Sequence, residues 1–152
     1  MSSAALVTLP QGYQYAGAAI LSTFWLHFWQ MVKVSKARSL AKIPYPQLYA
    51  EKAEAEANKD AYKFNCTQRA HQNTLENLPT ILGSTAIVAT QWPIFAASAC
   101  GLWVAARVLY TIGYSTGDPA KRNMFKGTLI GGLSMISLLV GATAAVGKTI
   151  LY

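Results

Sequence analysis

The sequence predicts an all-α integral membrane protein built as a bundle of four helices. Three observations predict this fold class. Hydrophobic residues make up 53% of the 152 residues, charged residues make up 12%, and the charges cluster between long uncharged stretches. An ordinary soluble domain carries about twice that share of charge. The length fits a single domain over residues 1–152.

The first predicted span covers residues 12–34. No Lys, Arg, Asp or Glu precedes Lys33, and the uncharged stretch has the length of about 20 residues that a bilayer core requires. Trp25, Phe28 and Trp29 lie toward its basic end, where interfacial aromatic residues concentrate. Since the preceding residues have no basic signal-peptide region, we expect this span to remain in the mature protein.

The other three predicted spans cover residues 62–90, 93–115 and 127–147. The second and third are separated at TQWP, where Pro93 is expected to begin a new helix. The fourth is rich in Gly, Ala and Ser, which allow helices to pack closely in lipid. Between the first two spans lies AEKAEAEANKDA, a charged helix-forming stretch that we interpret as solvated surface.

The distribution of basic residues predicts the orientation. The connection after the first span holds five of them and the connection after the third holds three, whereas the C-terminal end holds only Lys148. Basic connections remain in the cytoplasm, so both termini are expected on the opposite side. The net charge of +7 fits this topology and attraction to anionic lipid headgroups. No compact basic patch with stacking aromatics occurs, so no nucleic-acid partner is predicted. The two cysteines lack metal-ligand spacing, so no metal site is predicted.

A polar stripe begins the second span, in the sequence RAHQNTLE. On a helix Arg69, Asn73 and Glu76 fall within about 60° of one another, whereas His71 points elsewhere. The third span carries a matching stripe formed by Arg107, Tyr110 and Tyr114.

Ionisable groups at membrane depth cost roughly 2.5–3.5 kcal/mol each near a helix centre, so these side chains need partners. One interpretation is an interhelical ion network of Arg69, Glu76 and Arg107 that fixes helix register. The other is a pocket for a charged, peptide-like molecule, in which arginines bind carboxylates and Glu76 binds an ammonium.

The segments VSKAR, KFNCTQRAHQNTLE and RVLYTIGYSTGDPAKR together resemble the microsomal glutathione S-transferases of the MAPEG superfamily, especially the type-three branch. The resemblance covers most of the chain. It implies a homotrimer in the endoplasmic reticulum membrane, with glutathione sites between subunits that open to the cytosol.

The resemblance also implies roles for individual residues. Arg69, Asn73 and Glu76 match glutathione-holding residues, and His71 is a weaker contact. Arg38 matches a basic residue that meets the peptide carboxylates. The remaining matches line or brace the site, and they are Arg107, Tyr110 and Tyr114.

The catalytic residue implied by the resemblance is an arginine just past the third helix, which stabilises the glutathione thiolate. Arg122 is the preferred match, whereas an alignment without a gap selects Lys121. The leukotriene-C synthase branch has a second arginine where this chain has Ser39. This difference favours broader conjugation or peroxide reduction over leukotriene synthesis.

The predicted function is therefore a glutathione transferase with lipid-hydroperoxide peroxidase activity. Glutathione is the co-substrate, and a hydrophobic electrophile or lipid hydroperoxide arrives from the membrane lipid; no metal or bound organic cofactor is implied. One alternative is a non-catalytic lipid-binding scaffold, like the lipoxygenase-activating member of the superfamily. Another is a small channel or transporter subunit, which a single compact polar site per chain disfavours.

Overall fold

A computed structural model describes residues 9–151. Residues 1–8, which belong to the N-terminal segment that we expect in the mature protein, lie outside the described residues. The regular structure in this range is helical, with no strand, which confirms the predicted all-α class. A 3₁₀ segment spans Pro119–Lys126. The α-helices are α1 (Tyr13–Ala41), α2 (Lys52–Ala57), α3 (Lys59–Ala89), α4 (Pro93–Tyr114) and α5 (Gly127–Leu151).

Each predicted span coincides with most of one long helix. The helix α4 and the stretch Pro119–Leu151 are long and apolar enough to cross a membrane. The membrane crossing of α1 and α3 stays a prediction.

Two helices extend beyond their predicted spans toward the basic side. The helix α1 continues to Ala41 because the segment after Val32 contains no Gly or Pro, and it ends where Lys42 adopts a left-handed conformation with φ of 57°. The helix α3 begins at Lys59, where the side chain of Asn58 accepts a hydrogen bond from the backbone N–H of Asp60 at 2.9 Å. Several basic residues that the sequence prediction placed in the connection, such as Lys36 and Arg38, therefore lie on a helix.

The long helices pack side by side. The helix α1 contacts α3 and α4, and α5 contacts the same two helices from another side. Small residues of α4 such as Ala96 and Cys100 are fully buried beside Ile81, Val88 and Leu138. Since α4 lies at the centre, it can place side chains against both α3 and the 3₁₀ segment.

Large apolar side chains also cover the outside of the helices. Leu102, Leu133 and Val140 are each more than half exposed. A monomeric soluble protein rarely exposes apolar surface of this extent, whereas a lipid-facing helix requires it. The outer surface therefore fits a protein embedded in a membrane.

Candidate functional site

The polar stripe of α3 forms as the sequence predicts. The guanidinium of Arg69 donates to the carboxylate of Glu76 at 2.7 Å, and the amide of Asn73 lies 3.5 Å from the second carboxylate oxygen. The side chains of the ion pair are 43% and 44% exposed. Both charges therefore remain accessible to a ligand, and most of the arginine's five N–H donors remain available.

The second stripe continues the same polar region onto α4. The rings of Tyr110 and Tyr114 pack edge to face with centroids 5.6 Å apart. The guanidinium of Arg122 lies 5.9 Å from the Tyr114 ring centroid. Tyr110 lies within electrostatic reach of Arg69 and Arg122. The structure therefore brings residues from α3, α4 and the 3₁₀ segment together.

The two candidates for the catalytic position differ in their surroundings. The ammonium of Lys121 lies 3.9 Å from the carboxylate of Asp118, one turn earlier in the same segment. Arg122 instead lies beside Tyr114. No acidic group lies within 4.0 Å of Arg122 among residues 9–151. Its positive charge is the less neutralised of the two.

A glycine seats the 3₁₀ segment on α4. A Cβ atom added to Gly113 would lie 2.8 Å from the carbonyl carbon of Lys121, closer than real Cβ contacts occur. Only glycine therefore allows the backbone of the segment to lie directly on α4. This close approach sets the distance between Arg122 and the tyrosines.

Arg107 lies inside the protein, where it is 7% exposed. Its Nε and one terminal nitrogen donate to the hydroxyl of Thr74 at 3.1 and 3.0 Å, and its guanidinium lies 4.0 Å from the Tyr110 ring centroid. It also donates to the carbonyl of Ala70 at 3.3 Å. Arg107 thus links α3 to Tyr110 and acts as a brace for the stripe.

The interhelical ion network is not formed as proposed. The ion pair of Arg69 and Glu76 lies within α3, and Arg107 is held by the uncharged groups just described. Register between the helices is instead set by Gln30, whose amide donates to the hydroxyls of Thr74 and Thr111 at 2.9 and 2.7 Å. This buried polar network was missed from sequence because each of its uncharged members is unremarkable in isolation.

Arg38 is turned away from solvent, 8% exposed, toward the connection after α1. It donates to the backbone carbonyls of Gln47 and Leu48 at 2.6 and 3.4 Å. Its guanidinium lies 4.5 Å from the ring centroids of both Tyr45 and Phe64. Within one chain, Arg38 therefore fixes the shape of this connection.

The connection brings one further residue to the site. Tyr49 lies within electrostatic reach of Arg69, Glu76 and Tyr114. Burial raises the pKa of the Tyr49 phenol, the nearby Arg69 lowers it less, and the result is above the ordinary value of 10.0. Sequence analysis missed Tyr49 because it lies just before the charged stretch AEKAEAEANKDA, outside every predicted span.

The residue that follows Tyr49, Ala50, is hydrogen-bonded to α3. The side chain of Asn65 accepts from the backbone N–H of Ala50 at 2.7 Å and donates to its carbonyl at 2.8 Å. This two-bond clamp ties the connection to α3 four residues before Arg69. The clamp therefore fixes the backbone next to Tyr49 against α3.

His71 is directed to α1 within the same chain. Its Nε2 lies 3.1 Å from Nδ1 of His27, and the two rings are 31° from parallel. This direction agrees with the helical periodicity, which separates His71 from the stripe of Arg69 and Glu76. The histidine pair joins α1 and α3 behind the polar surface.

A comparison with known protein families gives a match that includes all of these site residues. The model of the MAPEG family matches residues 15–146, a range that includes every helix named above except the first two residues of α1 and the end of α5. The chain belongs to the MAPEG family. The MAPEG family includes glutathione transferases and non-catalytic members, and its proteins generally bind glutathione and form trimers in the membrane.

Because MAPEG proteins generally bind glutathione, the side chains of the site can be compared with the groups of that molecule. Glutathione carries two carboxylates, one ammonium and one thiol. The α3 stripe offers a guanidinium, a primary amide and a carboxylate on one accessible face. The 3₁₀ segment adds the guanidinium of Arg122, which lies 5.9 Å from the ring centroid of Tyr114. The arrangement can bind a zwitterionic peptide and stabilise a thiolate beside it.

Proposed function

We propose that the protein is a membrane-bound glutathione S-transferase of the type-three microsomal branch, with glutathione-dependent lipid hydroperoxide peroxidase activity. The observation that carries this proposal is the convergence of the accessible Arg69–Glu76 pair and of Arg122 on the tyrosines of α4. A scaffold needs neither this accessible ion pair nor a cationic group beside the tyrosines.

Glutathione binds along the α3 stripe in this proposal. Arg69 pairs with a carboxylate, Glu76 accepts from the ammonium, and Asn73 bridges a peptide amide. Tyr49 remains a protonated phenol near neutral pH, so it donates a hydrogen bond to the peptide. Arg107 acts as a positioning residue, because its donors are occupied by Thr74 and Ala70.

Arg122 is the catalytic residue that we propose. A thiol with a pKa near 8.5 is only about 3% ionised at pH 7. Lowering that pKa by about two units requires roughly 2.7 kcal/mol of preferential thiolate stabilisation. Arg122 is exposed in the single chain, so an interaction of this size requires that the bound substrates exclude water from around its guanidinium. Lys121 suits the role less well because Asp118 partly neutralises its charge.

Two reactions follow from the bound thiolate. With an aryl halide, sulfur forms a bond to the electrophilic carbon and the halide leaves with the bonding electrons. With a lipid hydroperoxide, sulfur attacks the terminal oxygen and the O–O bond breaks. The alkoxide takes up a proton to give the alcohol. A second glutathione then reduces the resulting sulfenic acid, so that disulfide and water are formed.

The cellular setting is also a proposal. We infer four membrane spans arranged as a helical bundle, a homotrimer, and a location in the endoplasmic reticulum membrane. The site then faces the cytosol, because the basic connections lie on that side. In a trimer, Arg38 of one chain and the stripe of another can come close, since the three glutathione sites are expected between subunits. Ser39 in place of a second arginine favours substrates other than a leukotriene epoxide.

A substrate comparison on purified protein tests this function. The full chain in mild detergent is assayed with glutathione and, in turn, an aryl halide, a lipid hydroperoxide and a leukotriene epoxide. We expect turnover of the first two substrates and little of the third. The scaffold alternative predicts no turnover of any substrate while a lipid ligand still binds.

A further inference from the structure

A cavity lies where the basic end of α1 meets α3, Ile112 of α4 and the turn that follows α4. Its volume is about 310 Å³, and none of the glutathione-stripe residues lines it. The polar lining comes from α1, α3 and the turn that follows α4, whereas α4 itself contributes only Ile112. Its polar and charged residues are Lys33, Lys36, Asp60, Lys63, Thr67, Ser115 and Thr116.

The charge of this cavity is positive. Three lysines face one carboxylate, that of Asp60. No ion pair shorter than 4.0 Å involves Lys33, Lys36 or Lys63 in the part of the chain that the structure describes. Unpaired cations around a concave site attract an anion from solution or from a membrane surface.

A buried hydroxyl in the lining lacks a partner. Ser115 is 9% exposed, and its Oγ makes no hydrogen bond to any described residue. The neighbouring hydroxyls of Thr67 and Thr116 already donate to the carbonyls of Lys63 and Gly113 at 2.9 and 2.7 Å. A buried polar atom without a partner is destabilising, so its retention in a cationic cavity points to a ligand that accepts a hydrogen bond from it.

The rest of the lining is apolar. Ala37, Leu40 and Ile112 contribute the nonpolar surface, and Leu40 is 60% exposed. Lys33 lies 5.1 Å from the ring centroid of Trp29, an aromatic residue of the kind that marks a membrane interface. A ligand with an anionic head and an apolar body matches these two kinds of surface.

We propose that this cavity binds the phosphate headgroup of an anionic membrane phospholipid. The phosphate lies among Lys33, Lys36 and Lys63 and accepts a hydrogen bond from the hydroxyl of Ser115. The glycerol and the first acyl carbons lie along Leu40 and Ile112. Because no residue of the two polar stripes lines the cavity, this proposal does not depend on the proposed transferase activity.

Native mass spectrometry of the full chain tests the proposal. The protein in neutral detergent is mixed in turn with phosphatidic acid, phosphatidylcholine and soluble glycerol phosphate. We expect retention of phosphatidic acid at concentrations where phosphatidylcholine is not retained. The double variant Lys36→Gln/Lys63→Gln should lose about tenfold or more in apparent affinity, since each lysine near an anionic surface contributes about 1 kcal/mol.

A matched control separates a site from general attraction. Lys52→Gln/Lys148→Gln removes the same charge from exposed positions outside the cavity and should bind as the wild type does. Ser115→Ala retains all charges and should weaken binding several-fold, which a purely electrostatic surface would not do. The comparison of lipids on the wild-type protein remains decisive if a variant fails to fold.

Three outcomes would overturn the proposal. Equal loss in both double variants would assign the attraction to net charge. Retention of phosphatidylcholine equal to that of phosphatidic acid would show that the lysines do not select an anionic headgroup. Binding of glycerol phosphate as tight as that of phosphatidic acid would assign the cavity to a soluble phosphate ester.

Discussion

Gly113 on α4 lies against the carbonyl group of Lys121, so closely that no side chain fits between them. Substitution of Gly113 by alanine must therefore displace the 3₁₀ segment and with it Arg122. We expect Gly113→Ala to lower kcat by about tenfold or more while glutathione affinity changes little, because small displacements of a catalytic group are costly. Steady-state kinetics with an aryl halide measures both quantities.

Gly101 provides the matched control for this prediction. It lies on the same helix, and a Cβ atom there would meet nothing within 4 Å. Gly101→Ala should leave kcat unchanged and should stabilise the helix by up to about 1 kcal/mol. Equal activity of the two variants would show that seating of the segment does not position the catalytic group.

Arg122 and Lys121 are adjacent, so they can be compared directly. Arg122→Ala should lower kcat by about 10²–10³-fold, the loss typical of removing one group that stabilises developing negative charge. Lys121→Ala should have a small effect, because Asp118 partly neutralises the charge of its ammonium. The reverse ranking in kinetics would transfer the catalytic role to Lys121.

Glu76 distinguishes a ligand-binding pair from a structural one. Glu76→Gln breaks an ion pair in which both side chains are more than 40% exposed, so we expect a stability loss of only about 0–1 kcal/mol. Glutathione affinity should fall about tenfold or more, since the acceptor for its ammonium is weakened. Calorimetric titration and chemical unfolding measure the two effects separately.

The control for Glu76 is Glu56, which lies 3.8 Å from Lys52 in another exposed pair. Glu56→Gln should match Glu76→Gln in stability and retain wild-type glutathione affinity. A large stability loss in Glu76→Gln alone, with normal affinity of the folded fraction, would make the pair structural.

Thr74 tests the buried polar network. Thr74→Val retains the shape of the side chain and removes the acceptor of Arg107 and Gln30. We expect a loss of about 2–4 kcal/mol in unfolding free energy, because charged and amide donors are left without a partner. The control Thr143→Val removes an exposed hydroxyl bonded only to the carbonyl of Leu139, and it should cost less than about 0.5 kcal/mol. Similar losses would contradict the bracing role.

Tyr49 gives a prediction about pH. Its pKa is raised above 10.0, so the folded protein holds this proton more tightly than the unfolded chain does. The associated stability is fully present below pH 10 and is lost as pH rises through the raised pKa. Tyr49→Phe should therefore lose less stability than the wild type above pH 10.

Tyr49→Phe should also weaken glutathione binding several-fold at neutral pH, because it removes a hydrogen-bond donor. Tyr45→Phe is the control, since Tyr45 belongs to the same connection and is 78% exposed. Calorimetric titration at neutral pH and unfolding measurements across the alkaline range test both statements. Unchanged affinity in Tyr49→Phe would remove Tyr49 from the site.

Periodicity and charge were sufficient to predict the helices and the α3 stripe. A seven-residue spacing places Arg69 and Glu76 on one face, and the structure pairs them. The extension of α1 was underestimated because a change from apolar to basic residues marks a membrane boundary but does not end a helix. Arg38 consequently lies on α1, where its partners come from the connection.

Other features depend on distances that a sequence does not encode. The link between Gln30, Thr74 and Thr111 requires three helices to meet at one depth. The approach of Gly113 to Lys121 depends on the path of the 3₁₀ segment, and the location of Tyr49 depends on Arg38 and Asn65 acting from two helices. No local pattern predicts contacts of this kind.

The most direct measurement is an ultraviolet difference titration of the purified wild-type protein and of Arg122→Ala with glutathione at pH 7. If Arg122 stabilises bound glutathione as its thiolate, the wild type develops a saturable thiolate band and Arg122→Ala binds glutathione without one. Saturable binding to the wild type with no thiolate band, or the absence of any glutathione binding, would contradict the account.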